Sequence, residues 1–386
     1  MKPQEILAEL DRLGDVVRLN PQIVGRFYGD NNRLGQRAAD AGKPDYHSPE
    51  RWIASSTPAV NPPGIPSGGV STCGEPALTD GGKPIALRDL LKTEEVGPRL
   101  LGEKRYEAHG RTFRVLIKLL DAVCPIPFHV HADDAFVTAN GEVYPNETFG
   151  KDEAYHFLDS PKGECPYTHV GLYDGVEARD VIEAMKRGTD HLLELSPGAY
   201  QNFGEGFIVK AGLLHRPGTA LTLEIQQPSD VYTMFQTDFG GEPLPAEALH
   251  PGFDSIEAAA EAVINWDENR QEGLLESVRL RPEPVTPTLD GGRADWIFPP
   301  DRSAKFSGMR LTVETDMKLP LNQPCVIYVW RGKGKLNGRV LDGRGGPVGD
   351  ADEFFVGKDA ADAGVDLTNT GDEPLVAFAL FAAALS

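Results

Sequence analysis

His129 and His131 flank Val130 in the segment Ile126–His131 (IPFHVH), whose aromatic and β-branched content after Pro125 predicts a strand. Side chains two residues apart on a strand share a face, so both imidazoles project together while Val130 points the other way. Glu153 opens a later strand candidate, and His215 ends a turn, Ala211-Gly212-Leu213-Leu214-His215, leading to the candidate strand Ala220–Gln226. Three imidazoles and one carboxylate suit a divalent transition metal with positions left open for water or substrate. A His-x-His pair alone is more often a structural or surface pair, so spacing by itself does not decide the matter. Lys151 stands two residues before Glu153 and shares its face if the strand already includes it. Glu224 and Gln226 fall on the face opposite Leu221, Leu223 and Ile225, which read as core. His47, His109, His156, His169, His191 and His250 read as surface or internally satisfied histidines.

The elements that must position these residues are mostly short strands with turn chemistry between them. Phe113–Leu120, Glu153–Leu158, Gly206–Lys210, Ala220–Gln226 and Val231–Phe235 are candidates, a pattern of barrels or jelly rolls. Asn61–Ser67 (NPPGIPS) is a loop, because its prolines suit neither a helix interior nor a central strand. Two helices interrupt the strands. Ala178, Val181, Ile182 and Met185 recur at helical spacing before a stop at Gly188, and a second helix runs from an N-cap at Asp254 to about Trp266. Met1 to Val17 reads as an amphipathic helix, with Ile6, Leu10, Leu13 and Val17 on one face. Pro282, Pro284, Pro287 and Gly291–Gly292 mark a linker, beyond which Met309–Glu314, Cys325–Trp330 and Leu375–Ala382 read as strands.

The 386 residues hold 38 Lys+Arg against 58 Asp+Glu, a formal charge of −20, which disfavours nucleic acid and anionic membranes as partners. Four widely separated cysteines without a Cys-x-x-Cys pair fit free thiols in a reducing compartment. No apolar stretch approaches the length of a membrane span, and a cytoplasmic protein is expected.

The order His-x-His, then Glu, then a distant His on a β-rich chain is the cupin arrangement. The blocks Phe113–Asp134, Gly150–Asp159, Thr168–Leu195, Phe207–His215 and Leu223–Asp230 resemble successive blocks of bacterial type I mannose-6-phosphate isomerases. Pro49-Glu50-Arg51-Trp52, followed by Ser55, resembles that family's tryptophan segment, and the likeness covers roughly Arg26 to Asn265. It implies a mainly β fold: a cupin jelly-roll catalytic domain with an N-terminal helix and a helical insertion over residues 1–250. A helix and linker over 251–294 and a smaller cupin-like β domain over 295–386 complete the implied organisation.

It implies one divalent metal, zinc in the family, on His129, His131, Glu153 and His215, and a pocket that includes Lys151, Glu224 and Glu50. The family usually has Gln at the position of His129; a stronger nitrogen donor there also admits manganese, iron or nickel. The implied partner is a small sugar or sugar phosphate, and the implied reaction is aldose–ketose isomerisation, with mannose-6-phosphate and fructose-6-phosphate as the leading pair. An isomerase of unphosphorylated sugars, a metal cupin that binds a sugar without turnover and a cupin dioxygenase are the alternatives. One departure bears on that choice. The family carries an Arg shortly after Ser-Asp, whereas this chain reads Val231-Tyr232-Thr233-Met234-Phe235-Gln236. Arg216, next to His215, offers a cation from another direction.

Overall fold

The computed structural model describes the chain except for residues 27, 35–46, 62, 63, 67, 146, 164, 240, 241, 245–248, 250, 251, 344–351 and 386. His250 and part of the 61–67 loop therefore lie outside the described residues. Two compact units emerge. The first gathers Met1–Phe27, Asn32–Leu119 and Pro282–Ser386; the second comprises Tyr28–Asn31 and Leu120–Arg281.

The first unit is built on an eleven-stranded sheet whose central strands are Phe306–Val313, Leu375–Ala382 and Cys325–Leu336. Alternate residues of these strands, among them Leu311, Val313, Ile327, Ala377 and Phe381, face a common core with Phe354. The N-terminal helix spans Pro3–Leu13, shorter than the sequence predicts. Gly14 and Asp15 both take positive φ, 59° and 57°, which ends the helix. Val17 thus belongs to the strand Val16–Asn20, which pairs antiparallel with Glu353–Val356. Within the expected linker, which begins where the two units meet in sequence, Glu283–Pro284 forms an edge strand against Trp296 and Asp295, a place where proline is tolerated. Gln22–Arg26 and His47–Ile53 pair antiparallel in the same unit, and Trp52, Val24 and Leu116 cluster there.

In the second unit two antiparallel arrays carry the strands that matter for chemistry. One runs in the order Gly198–Tyr200, Tyr167–Val170, His215–Arg216, His129–Val130, Thr233–Met234. The other contains Arg279–Leu280, Gly206–Val209, Glu153–Phe157 and Thr222–Gln226 in that order. Among the described residues no pairing closes either array on itself. The helix Ala178–Arg187 ends at Gly188 as predicted and packs its Val181 and Met185 into a core with Phe128, Val130, Ala259 and Val263. The next helix is Ile256–Val263, capped by Ser255 instead of Asp254: its side chain accepts from the Ala258 N–H at 3.1 Å. Ile264 is extended, so Trp266–Asn269 forms a separate short turn of helix. No helix among the described residues is long and apolar enough to cross a membrane.

Candidate metal centre

His129 and His215 sit directly opposite each other on neighbouring antiparallel strands, which places both imidazoles on one face. His131 follows two residues after His129, and Glu153 leads the strand Glu153–Phe157 of the other array. The four side chains converge: one ligand atom from each lies within 4.8 Å of the rest, and all four residues are buried. The imidazole centroids are 4.0, 4.8 and 5.0 Å apart.

Local bonds hold this geometry. Asn269, fully buried, accepts from the Leu214 N–H at 2.8 Å and donates to the Gly212 carbonyl at 2.7 Å. It clamps the turn that delivers His215. Gly212, at φ 88°, donates to the His131 carbonyl, and a Cβ there would come within 2.9 Å of Asn265. On the other side, the Lys151 N–H donates to the Ala132 carbonyl, and the Gln227 side chain accepts from the Asp152 N–H while donating to Asp134. These bonds fix Lys151 and Glu153 against the His-x-His segment.

The electrostatics ask for a cation. Each histidine offers its Nδ1 to a backbone carbonyl: His129 to Pro127 at 2.7 Å, His131 to Val231 at 2.7 Å and His215 to Leu213 at 2.8 Å. That pattern sets the proton on Nδ1 and turns the Nε2 lone pair toward the cluster. Burial, with the neighbouring imidazoles next, holds His129 well below the ordinary histidine pKa. Burial and then Lys151 push His131 down to about 3. Glu153 stays ionised: burial opposes its charge, but Lys151 and His131 pull its carboxyl well below the usual range. An unprotonated His131 Nε2 therefore stands 3.1 Å from one carboxylate oxygen, acceptor facing acceptor. His215 Nε2 and the other oxygen, 3.0 Å apart, are both buried without a hydrogen-bond partner. Four donors bonded to one zinc ion at roughly 2.0–2.2 Å lie at most about 4.3 Å apart, so a slight inward movement completes the site. The residues fit the metal.

Lys151 precedes the strand, yet its Nζ lies 2.9 Å from Glu153 and 3.7 Å from Glu224. Burial works against its charge, and Glu153 with Glu224 outweighs that, raising its pKa. Glu224 pairs with Tyr155 and Gln226 with Glu153, so both polar residues share the Glu153 face as the alternation predicts. Gln226 donates to the Ser229 and Gln227 carbonyls and so satisfies the backbone of the turn that follows the strand. Glu50 belongs to the first unit, where Arg26 Nε at 2.8 Å, Trp52 Nε1 at 2.6 Å and Lys118 at 3.9 Å surround its carboxylate. Arg216 lies in a different direction from the ligands. It pairs with His169, on the face opposite His215, and its guanidinium lies 5.9 Å over the Phe128 ring. Met234 pairs with His129 and is buried on the ligand side. Asn269 is the functional support that sequence reasoning missed; an Asn after an Asn-Trp turn carries no signal of what it will clamp.

No family model matches the chain. Over 189 residues it is 29% identical to a probable mannose-6-phosphate isomerase of Bacillus subtilis strain 168, a stretch covering 47% of this chain and 52% of that protein. The alignment thus spans about half the length of the curated relative. A solved mannose 6-phosphate isomerase from Bacillus subtilis superposes with TM-score 0.66 at 18% identity, covering 95% of this chain and 99% of the other. This chain has the mannose-6-phosphate isomerase fold. A zinc-bound mannose 6-phosphate isomerase agrees, with TM-score 0.63 and 13% identity over 96% of this chain and all of that one. The likeness extends through both units, well past the Arg26–Asn265 stretch in which the sequence blocks resemble this family.

Proposed function

We propose that the chain is a metal-dependent aldose–ketose isomerase that interconverts mannose-6-phosphate and fructose-6-phosphate or a closely related pair, with one zinc ion on His129, His131, Glu153 and His215. The observation that carries this reading is the buried cluster itself: three imidazoles whose Nδ1 is held by a backbone carbonyl and one carboxylate converge, in a chain with this fold. When bound, the ion supplies Lewis acidity toward the oxygens of the first two sugar carbons. Isomerisation also moves a proton between those carbons and another between their oxygens. Lys151, kept charged by its two carboxylates, donates hydrogen bonds to sugar oxygens, and Glu224 beside it accepts one. Glu50 is a candidate on its sequence match alone, and within the first unit Arg26 and Trp52 hold its carboxylate.

We further infer that the cupin jelly-roll catalytic part expected over residues 1–250 is supplied by Leu120–Arg281, and that residues 295–386 supply a smaller cupin-like β part of the first unit. The order of strands around the ligands supports the first of these. A second reading, isomerisation of an unphosphorylated sugar, is favoured by Met234 beside His129 and by Arg216 on the opposite face. Ketose formation from mannose-6-phosphate and from free mannose at matched zinc loading separates the two; no ketose from either, at full occupancy, refutes both.

A further inference from the structure

Far along the chain from these ligands, in the first unit, the sheet bears an open cavity of about 950 Å³ lined by Arg310, Thr312, Arg331, Lys333, Thr370, Asp372, Glu373 and Val376. Register places Thr312 opposite Val376 and Arg331 opposite the same Val376, while Arg310 shares the face of Thr312 two residues away. The opposite face of these strands, with Leu311, Val313 and Ala377, is the core. The strand bulges between Val329 and Arg331, and Gly332 at φ 92° passes beneath Leu375, where a Cβ would come within 2.7 Å of backbone. That bend opens the concavity between the strand and the Thr370–Pro374 loop.

Three cations meet there without partners. Arg310, Arg331 and Lys333 make no ion pair or side-chain hydrogen bond with the described residues. Asp295, across the ladder from Arg310, is taken by Arg293 at 2.7 Å. Burial lowers the pKa of half-buried Arg310, the Arg331 guanidinium adds to that, and the Asp295 carboxylate works against it. In a chain with 20 more acidic than basic residues, such a group is a place that favours an anion. Asp372 and Glu373 line the same cavity, so a bare anion would meet repulsion beside attraction. A ligand that is anionic at one end and hydroxylated at the other satisfies both, with guanidinium groups on the oxyanion and carboxylates and threonines on the hydroxyls. The volume suits a small molecule of that kind.

We propose that this cavity is a second ligand site, separate from the metal centre, that binds a phosphorylated polyol or sugar. Equilibrium dialysis of the full chain with sorbitol-6-phosphate tests it, with inorganic phosphate and sorbitol as comparison probes. Arg310→Gln/Arg331→Gln should bind one equivalent fewer than the unaltered chain, or bind it at least about tenfold more weakly. Inorganic phosphate should bind this site about tenfold more weakly than the phosphorylated polyol. Unchanged stoichiometry and affinity in the double variant overturn the site; equal affinity for bare phosphate overturns the ligand class. If the double variant does not fold, Arg331→Gln/Lys333→Gln, at two exposed positions, is read in the same way. Failure of the isomerase reading removes binding at the metal centre from both proteins and leaves their difference intact.

Discussion

Lys151 carries the clearest division between fold and chemistry among single residues. Its ammonium is buried beside Glu153 and Glu224, and once a metal neutralises Glu153 its charge is available to a sugar oxygen. Lys151→Met in the zinc-loaded protein should lower turnover by about a hundredfold or more with little change in melting temperature. A variant that unfolds readily yet keeps its specific activity while folded would make the residue structural. Met234 leads to the second expectation at this scale. With a thioether opposite His129 and Arg216 turned to the other face, neither position brings to the ligand side the bidentate fork that phosphate favours. The ratio of kcat/KM for mannose-6-phosphate over free mannose should therefore stay below about a thousandfold, roughly 4 kcal/mol of differential transition-state binding. A larger ratio would show that Lys151 or another group anchors the phosphate.

At the scale of elements, the turn Ala211–Leu214 and the short helix Trp266–Asn269 act as one device, because Asn269 satisfies two backbone groups of the turn at once. Asn269→Ala leaves the Leu214 N–H buried without its partner, while the Gly212 carbonyl keeps the Asn265 N–H, and should cost about 1–3 kcal/mol. Metal affinity should also fall about tenfold, since the turn aims His215. Unchanged zinc affinity in a folded variant would break that link. The same contrast explains what was legible in the sequence. Period-two alternation reveals the faces of His129, His131, Glu224 and Gln226, because side-chain direction on a strand is local. It does not reveal where strands stop: Ile126–His131 yields only His129–Val130, and Val231–Phe235 only Thr233–Met234, since pairing partners set strand ends. Nor does local pattern show that two left-handed residues cut the first helix at Leu13. Local alternation also places Arg216. Adjacency in sequence to His215 means the opposite face on a strand.

For the molecule as a whole, a buried cluster of acceptors is a destabilised feature until it is filled. Zinc should therefore raise the melting temperature of the metal-free chain, by an amount corresponding to about 4 kcal/mol at a thousandfold excess over Kd. His131→Ala should abolish that rise, and a rise of equal size in the variant would mean that zinc stabilises the protein elsewhere. The N-terminal strand Val16–Asn20 and the C-terminal strands share one sheet, so the two ends of the chain are stabilised together within the first unit. The metal site belongs to the second unit. Its most direct test is a zinc titration of the metal-free protein while fructose-6-phosphate formed from mannose-6-phosphate is followed, with His131→Ala in parallel. Activity should rise in proportion to zinc and level off at one ion per chain, and the variant should neither retain zinc nor turn over substrate. Full zinc occupancy without ketose formation, or undiminished activity in a metal-free His131→Ala protein, would contradict it.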